Sequence, residues 1–191
     1  MKRFVGSLAF LMISVCAWSQ TQTASILTDQ FAVSLPFGFQ AQKPQVIEGR
    51  TKWTYLREHV ADQSDCRFRV TVLEGSKAIP DDSTGAQLAL ALLIGYTAQQ
   101  TKSLVDLRFD AVNKITMRGR IWWRAPWTAR NGDVSIAGLS YITAAYDAEY
   151  FLIFESLSSV EGSKVSTEIL TSFEPKKPAN QAPQPTPSGR G

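Results

Sequence analysis

At 191 residues, 44% of them hydrophobic, the chain is long enough to rely on a single core, and a domain near 150 residues buries roughly two thirds of the surface that its unfolded chain exposes. Lys2 and Arg3 carry two of its three net positive charges, so a chain without its first residues has a net charge near +1, which removes the electrostatic case for nucleic acid. Only two cysteines are present, and if Cys16 leaves with the N-terminal segment, Cys66 has no disulfide partner.

That segment reads as a secretory signal peptide over residues 1–19. Lys2 and Arg3 give a basic start, Phe4 to Val15 is mostly apolar, and Ala17 and Ser19 offer a small-residue cleavage site before Gln20. It is too short and wrongly flanked for a stable membrane span; an uncleaved anchor is the other reading. Cys16 sits in I-S-V-C, similar to a lipoprotein acceptor, but Val15 is bulkier than the residue usual there, and lipidation is not favoured. The mature protein is therefore expected to be periplasmic or secreted.

One domain is expected over residues 23–173. Gln30 to Leu35 alternates Phe31, Val33 and Leu35 against Ala32 and Ser34, the pattern of a half-buried strand that Pro36 stops. Phe37 and Phe39 around Gly38 form an apolar corner. Lys52 to Val60 is a second strand, with Trp53, Tyr55, Arg57 and His59 on one face. After a turn at Asp62 to Asp65, a third strand from Cys66 to Leu73 puts Cys66, Phe68, Val70 and Val72 on one side. Arg67, Arg69 and Thr71 point to the other. Thr84 and Gln87 then fit a capping box, with Asp81 and Asp82 beside the positive end of the helix that follows. Its run Leu88 to Ile94 is unbroken, so the helix is expected deep against a sheet, and Gly95 suits close packing.

Leu107 and Phe109 alternate with Asp106, Arg108 and Asp110 in a further strand, with a break at Asn113-Lys114. Three antiparallel strands fill Met117 to Leu157, turning at Asn131-Gly132 and at Tyr146 to Glu149. Pro126 predicts an edge or a bulge in the first of them. Ser163 to Phe173 reads as a closing helix with Val165, Ile169 and Phe173 spaced by four. Residues 174–191 contain five prolines and no large apolar side chain; they read as a disordered, polyproline-like tail, with a docking peptide as the other reading. The whole is an α+β domain, a mainly antiparallel sheet packed against helices.

The layout resembles the PsbP and DcrB-type fold, an α/β/α sandwich. The residues that carry the resemblance are F-A-V-S-L-P-F-G-F, the acidic P-D-D-S-T-G-A before the central helix, G-R-I-W-W, and A-E-Y-F-L-I-F-E-S followed by the Ile169 to Phe173 helix end. The resemblance implies an accessory, non-enzymatic protein, since members serve photosystem assembly, the bacterial envelope and small-GTPase binding. It supplies no catalytic residues.

The residues themselves give little chemistry. His59 is the only histidine, so a zinc site lacks ligands and a serine nucleophile lacks its usual base. Cys66 shares the apolar parity of Phe68, which favours a buried inert thiol. Asp81 with Asp82, and Asp106 with Asp110, read as helix-start charge and a solvated strand face. No metal or cofactor is expected. What stands out is arginine with tryptophan. On Met117 to Trp127 a period of two puts Arg118, Arg120, Trp122 and Arg124 on one face, opposite Ile121 and Trp123. With Arg67 and Arg69 added, these would form one arginine surface around an indole, suited to an anionic partner. The bland alternative is that arginine stems cover Trp122 and pair across strands. Three functions remain: an envelope accessory protein binding a protein or anionic partner through that face, a lipid carrier with an apolar pocket between the central helix and the sheet, and a carboxylate-dependent envelope hydrolase.

Overall fold

The computed structural model describes residues 23–47, 50–58, 65–75 and 79–177. The signal-peptide reading, His59, most of the Asp62 to Asp65 turn and the tail beyond Lys177 lie outside the described residues.

Alternation sets the first elements. Strands β1 (Ala24–Leu27) and β2 (Phe31–Leu35) pair antiparallel, and Phe31, Val33 and Leu35 are buried. The short β3 (Gln40–Ala41) and β4 (Gln45–Ile47) both pair with β5 (Arg50–Arg57), which pairs with β6 (Cys66–Glu74). Helix α1 (Ser83–Gln100) follows. Its N-cap is Asp82, whose carboxylate accepts from the Gly85 amide at 2.9 Å, so the cap falls two residues before the predicted Thr84. Gly85 sits so close to Pro80 that a Cβ would lie 1.7 Å from the Pro80 carbonyl oxygen, which leaves no room there for any side chain.

The break expected at Asn113-Lys114 falls earlier, at residues 110–112, and Asn113 and Lys114 instead open a strand. It separates β7 (Val105–Phe109) from β8 (Asn113–Met117). The stretch from Met117 is likewise not one strand. Arg118 and Gly119, both at positive φ (52° and 69°), make a two-residue hairpin from β8 into β9 (Arg120–Asn131), with Met117 opposite Arg120. Gly132 and Asp133 then turn β9 into β10 (Val134–Ala145), with Gly132 at φ 60°. Tyr146 and Asp147, both in the left-handed region, turn β10 into β11 (Ala148–Ser156). Pro126 is explained by a change of neighbour. β8 pairs with residues 120–124 of β9 and β7 with residues 127–130, so the missing donor of Pro126 falls in the gap, where its carbonyl accepts from the Asp110 amide at 2.9 Å.

Helix α2 (Ser159–Ser172), capped by Ser158, starts four residues before the predicted Ser163 and buries Val165 and Ile169 as expected. The ordered chain then continues past Phe173. Strand β12 (Glu174–Pro175) pairs with β2, and the Lys176 amide donates to the Gln30 carbonyl at 2.8 Å.

Among the described residues, nine strands thus make one antiparallel sheet, β3-β5-β6-β11-β10-β9-β7, with β4 also on β5 and β8 also on β9. On one face, α2 and the small sheet β1-β2-β12 close over Trp53, Tyr55, Phe68, Trp122, Tyr150 and Phe154. On the other, α1 lays Ala89, Leu93 and Tyr96 on Trp123, Trp127, Ile142, Phe151 and Ile153. The result is the expected α+β architecture, with sheet as its main component.

Candidate functional site

Register decides which predicted site residues meet. Opposite partners in an antiparallel pair project to the same face. Arg124 lies opposite Tyr141, Tyr141 opposite Leu152, and Leu152 opposite Val70, all on the α2 side. Arg67 lies opposite Glu155 and Arg69 opposite Ile153, on the α1 side. The six residues therefore do not form one surface. Arg67 and Arg69 occupy one face of the sheet, Arg120, Trp122 and Arg124 the other, and Arg118 is an exposed turn residue on neither.

Nor is the indole available. Trp122 is 2% exposed, with Phe173 of the α2 end edge-on at 5.8 Å. Arg120 lies over the Tyr146 ring at 5.9 Å. Arg124 is half-buried beside Tyr141 and lines a cleft of about 210 Å³ between β9, β10 and the first turns of α2. Arg120 thus stacks on an aromatic ring and Arg124 faces Tyr141, and it is the α2 end that packs on Trp122.

The α1 side differs. Arg69 is buried, ion-paired to Glu155, and donates to the Gln100 carbonyl at 2.6 Å, one of the last carbonyls of α1. Thr101 satisfies another through its hydroxyl, 2.7 Å from the Thr97 carbonyl oxygen. Arg67, nearly half exposed, reaches the same Glu155 at 3.4 Å. Glu155 thus serves two arginines and is held as an acceptor. Beside this network a groove of about 140 Å³ opens between the end of α1 and the outer strands. It is lined by Arg50, Lys52 and Lys102 with Thr71, Gln99 and Gln100. Three of its described lining residues are cations and none is a carboxylate. Burial, and then the Arg69 guanidinium, lower the Lys52 pKa; Glu155 opposes and Arg67 adds to the fall. Arg50 stacks over Tyr96 at 5.1 Å, which fixes the far wall.

Lys52, Arg50 and Lys102 were missed in the sequence, although a signal for Lys52 exists. It has the opposite parity to Trp53 and Tyr55, so it must share the face of whatever pairs with the Arg69 side of β6. Only the register, Lys52 opposite Thr71, brings it there.

Other candidate chemistry is accounted for locally. Cys66 is buried, accepts from Arg57 at 3.2 Å and sits 3.5 Å from Ser156 Oγ; burial pushes its thiol pKa up, as suits an inert thiol. Asp82 caps α1, Asp81 pairs with Lys114 at 2.7 Å, and Asp106 holds a positive φ at the bulge of β7. The space a lipid would need between α1 and the sheet is filled. Ala89 and Leu93 are fully buried there, and Tyr96 packs on Phe151 with ring centroids 4.9 Å apart.

No family model matches the chain, and no curated protein does. Solved structures share its fold. The Ran-binding protein Mog1p of Saccharomyces cerevisiae aligns over 82% of this chain and 97% of its own, with a TM-score of 0.54 and 8% identity. The cyanobacterial PsbP (CyanoP) of Synechocystis sp. PCC 6803 aligns over 81% of this chain and 91% of its own, with a TM-score of 0.50 and 12% identity. A protein of Bacteroides thetaiotaomicron aligns over 80% of this chain, with a TM-score of 0.52 and 12% identity; this chain spans about half of its length, 47%. At such identities the likeness is one of fold, and the fold is PsbP/Mog1-like.

Proposed function

We propose that this protein is a non-enzymatic accessory or binding protein of the cell envelope, exported by its N-terminal segment, that engages an acidic protein partner. The docking site is the cationic groove of Arg50, Lys52 and Lys102 rather than an arginine–tryptophan sheet face. The observation that carries this reading is the local charge imbalance: three cations line the groove without a carboxylate among its described residues. An anion placed there relieves that repulsion. A Ran-binding protein among the fold neighbours supports a binding role. Export and an envelope location rest on Lys2, Arg3 and the apolar run that follows. The DcrB side of the resemblance enters as an expectation of the same kind.

Calorimetric titration with a glutamate-rich peptide tests the groove. Binding is expected to weaken with added salt, and to fall about tenfold in Arg50→Ala/Lys52→Ala while the melting temperature stays within a few degrees. Binding that is unchanged in this double variant would remove the groove from the reading. Binding should also strengthen as pH falls through the lowered Lys52 pKa, because the anion favours the protonated amine.

A further inference from the structure

The cleft between β9, β10 and the first turns of α2 belongs neither to the cationic groove nor to the closed cores. Register sets its floor. Pro126 lies opposite Leu139 and Leu139 opposite Phe154, all on the α2 side, and Ala137 continues the row two residues along β10. At about 210 Å³ the cleft has the volume of roughly seven waters at about 30 Å³ each. Sites for drug-sized molecules run to roughly 300–1,000 Å³, so this one suits a smaller ligand with an apolar body.

Two opposite charges line the same cleft, Arg124 and Asp110, and neither takes part in an ion pair among the described residues. Arg124 is half-buried against Tyr141, and its Nε is buried without a hydrogen-bond partner among the described residues. Its water shell is therefore already incomplete, and a guanidinium in that state pairs with a carboxylate more strongly than a fully hydrated one. Asp110 is exposed, and its amide donates to the Pro126 carbonyl at 2.9 Å. Pro126 is two residues along β9 from Arg124, on the order of 7 Å. Charge-assisted hydrogen bonds of about 2.8 Å at each end bridge such a spacing through a short ligand. A ligand with one charge would leave the other residue unpaired, and a simple anion would also meet the Asp110 carboxylate. We infer that the cleft binds a free aliphatic α-amino acid. Its carboxylate pairs with Arg124, its ammonium group faces Asp110, and its side chain rests on Pro126, Ala137, Leu139 and Phe154. A peptide carries these two charges at opposite ends of its chain and cannot present both to so small a cleft.

The site shares no residue with the groove of Arg50, Lys52 and Lys102, so the two readings stand or fall separately. Calorimetric titration of the protein, purified as its host processes it, with L-leucine is the test. Saturable binding is expected, at least about tenfold tighter than that of 4-methylpentanoate, which lacks the amine, or of 3-methylbutylamine, which lacks the carboxylate. Arg124→Gln should weaken leucine at least about tenfold with an unchanged circular dichroism spectrum, because Arg124 balances no carboxylate whose charge its loss would expose. Ala137→Phe should act alike by filling the cleft from its floor. Asp110→Asn, an exposed change that spares the fold, should remove the advantage of leucine over 4-methylpentanoate. No saturable binding of leucine at millimolar concentration overturns the inference. So does binding that Arg124→Gln and Ala137→Phe both leave intact, or a preference for leucine over 4-methylpentanoate that survives in Asp110→Asn. Arg50→Ala/Lys52→Ala is expected to leave leucine binding unchanged.

Discussion

The two faces of the large sheet are made by the same strands yet closed in different ways. On the α2 side a helix and a three-stranded sheet together cover aromatic side chains from β5 across to β9, and Phe31, Trp53, Trp122, Tyr150 and Phe173 pack edge-on or stacked with centroids 5.0 to 6.0 Å apart. On the α1 side one helix covers the middle of the sheet, and the strands beyond it carry Lys52, Thr54, Arg67 and Thr71. Coverage, not composition, decides where charge can gather. A strand face that no element covers must be polar, and a helix end laid over it brings buried carbonyls that need donors, a need that Arg69 meets.

If the α2 side is a sealed core, removing its largest side chain should have the largest effect of any single change. Trp122→Ala is expected to cost about 4 kcal/mol in urea unfolding, through lost burial and the cavity left against Phe173. A surface role for Trp122, in the sense of an indole held open for a partner, predicts a loss well under 1 kcal/mol, as is usual for exposed substitutions.

The polar network of the α1 side should break differently. Glu155→Ala leaves Arg69 buried without its carboxylate and is expected to cost about 3 kcal/mol. Replacing both partners, in Arg69→Met/Glu155→Leu, should cost less than that single change, because no buried charge is then left unpaired. The Gln100 carbonyl loses its donor in the double variant, so some loss remains. A double variant less stable than Glu155→Ala would show that the pair itself, rather than its imbalance, holds this face together.

This contrast also accounts for what could be read in advance. Period-two alternation identified β2, β5 and β6, and burial of Phe31, Tyr55 and Phe68 follows from it. Parity likewise separated Trp122 from Trp123 correctly, since the two lie on opposite faces. Parity says nothing about which side of one strand joins which side of another, and so it could not tell that Arg67 and Arg124 face apart. Arg118 failed for a second reason. Arg118-Gly119 lacks the Asn-Gly signature of a tight turn, and a non-glycine residue at φ 52° is held there by the hairpin around it. The apolar run Leu88 to Ile94 has no helical period, so it could not reveal which of its residues face the sheet; only the placement of Ala89 and Leu93 under the strands left Leu88 and Ile94 outside.

The smallest expected effect separates the faces at alkaline pH. Burial pushes the phenols of Tyr55 and Tyr150, both on the α2 side, up to about 12. A folded pKa above the unfolded value, near 10, means that the native state holds the proton longer than the unfolded chain. The contribution of each tyrosine is therefore complete below pH 10 and is lost as pH rises through about 12. Tyr150 is less clean as a probe, since its hydroxyl also donates toward the Gln30 and Lys176 carbonyls at 3.2 Å and ties β12 down. Tyr55→Phe avoids that, and at pH 7 it should change stability by less than about 1 kcal/mol. Between pH 10 and 12 its urea midpoint should fall less steeply than that of the wild type. Parallel midpoints for the two proteins across that window would mean that Tyr55 ionises as easily folded as unfolded, and that the α2 side admits water.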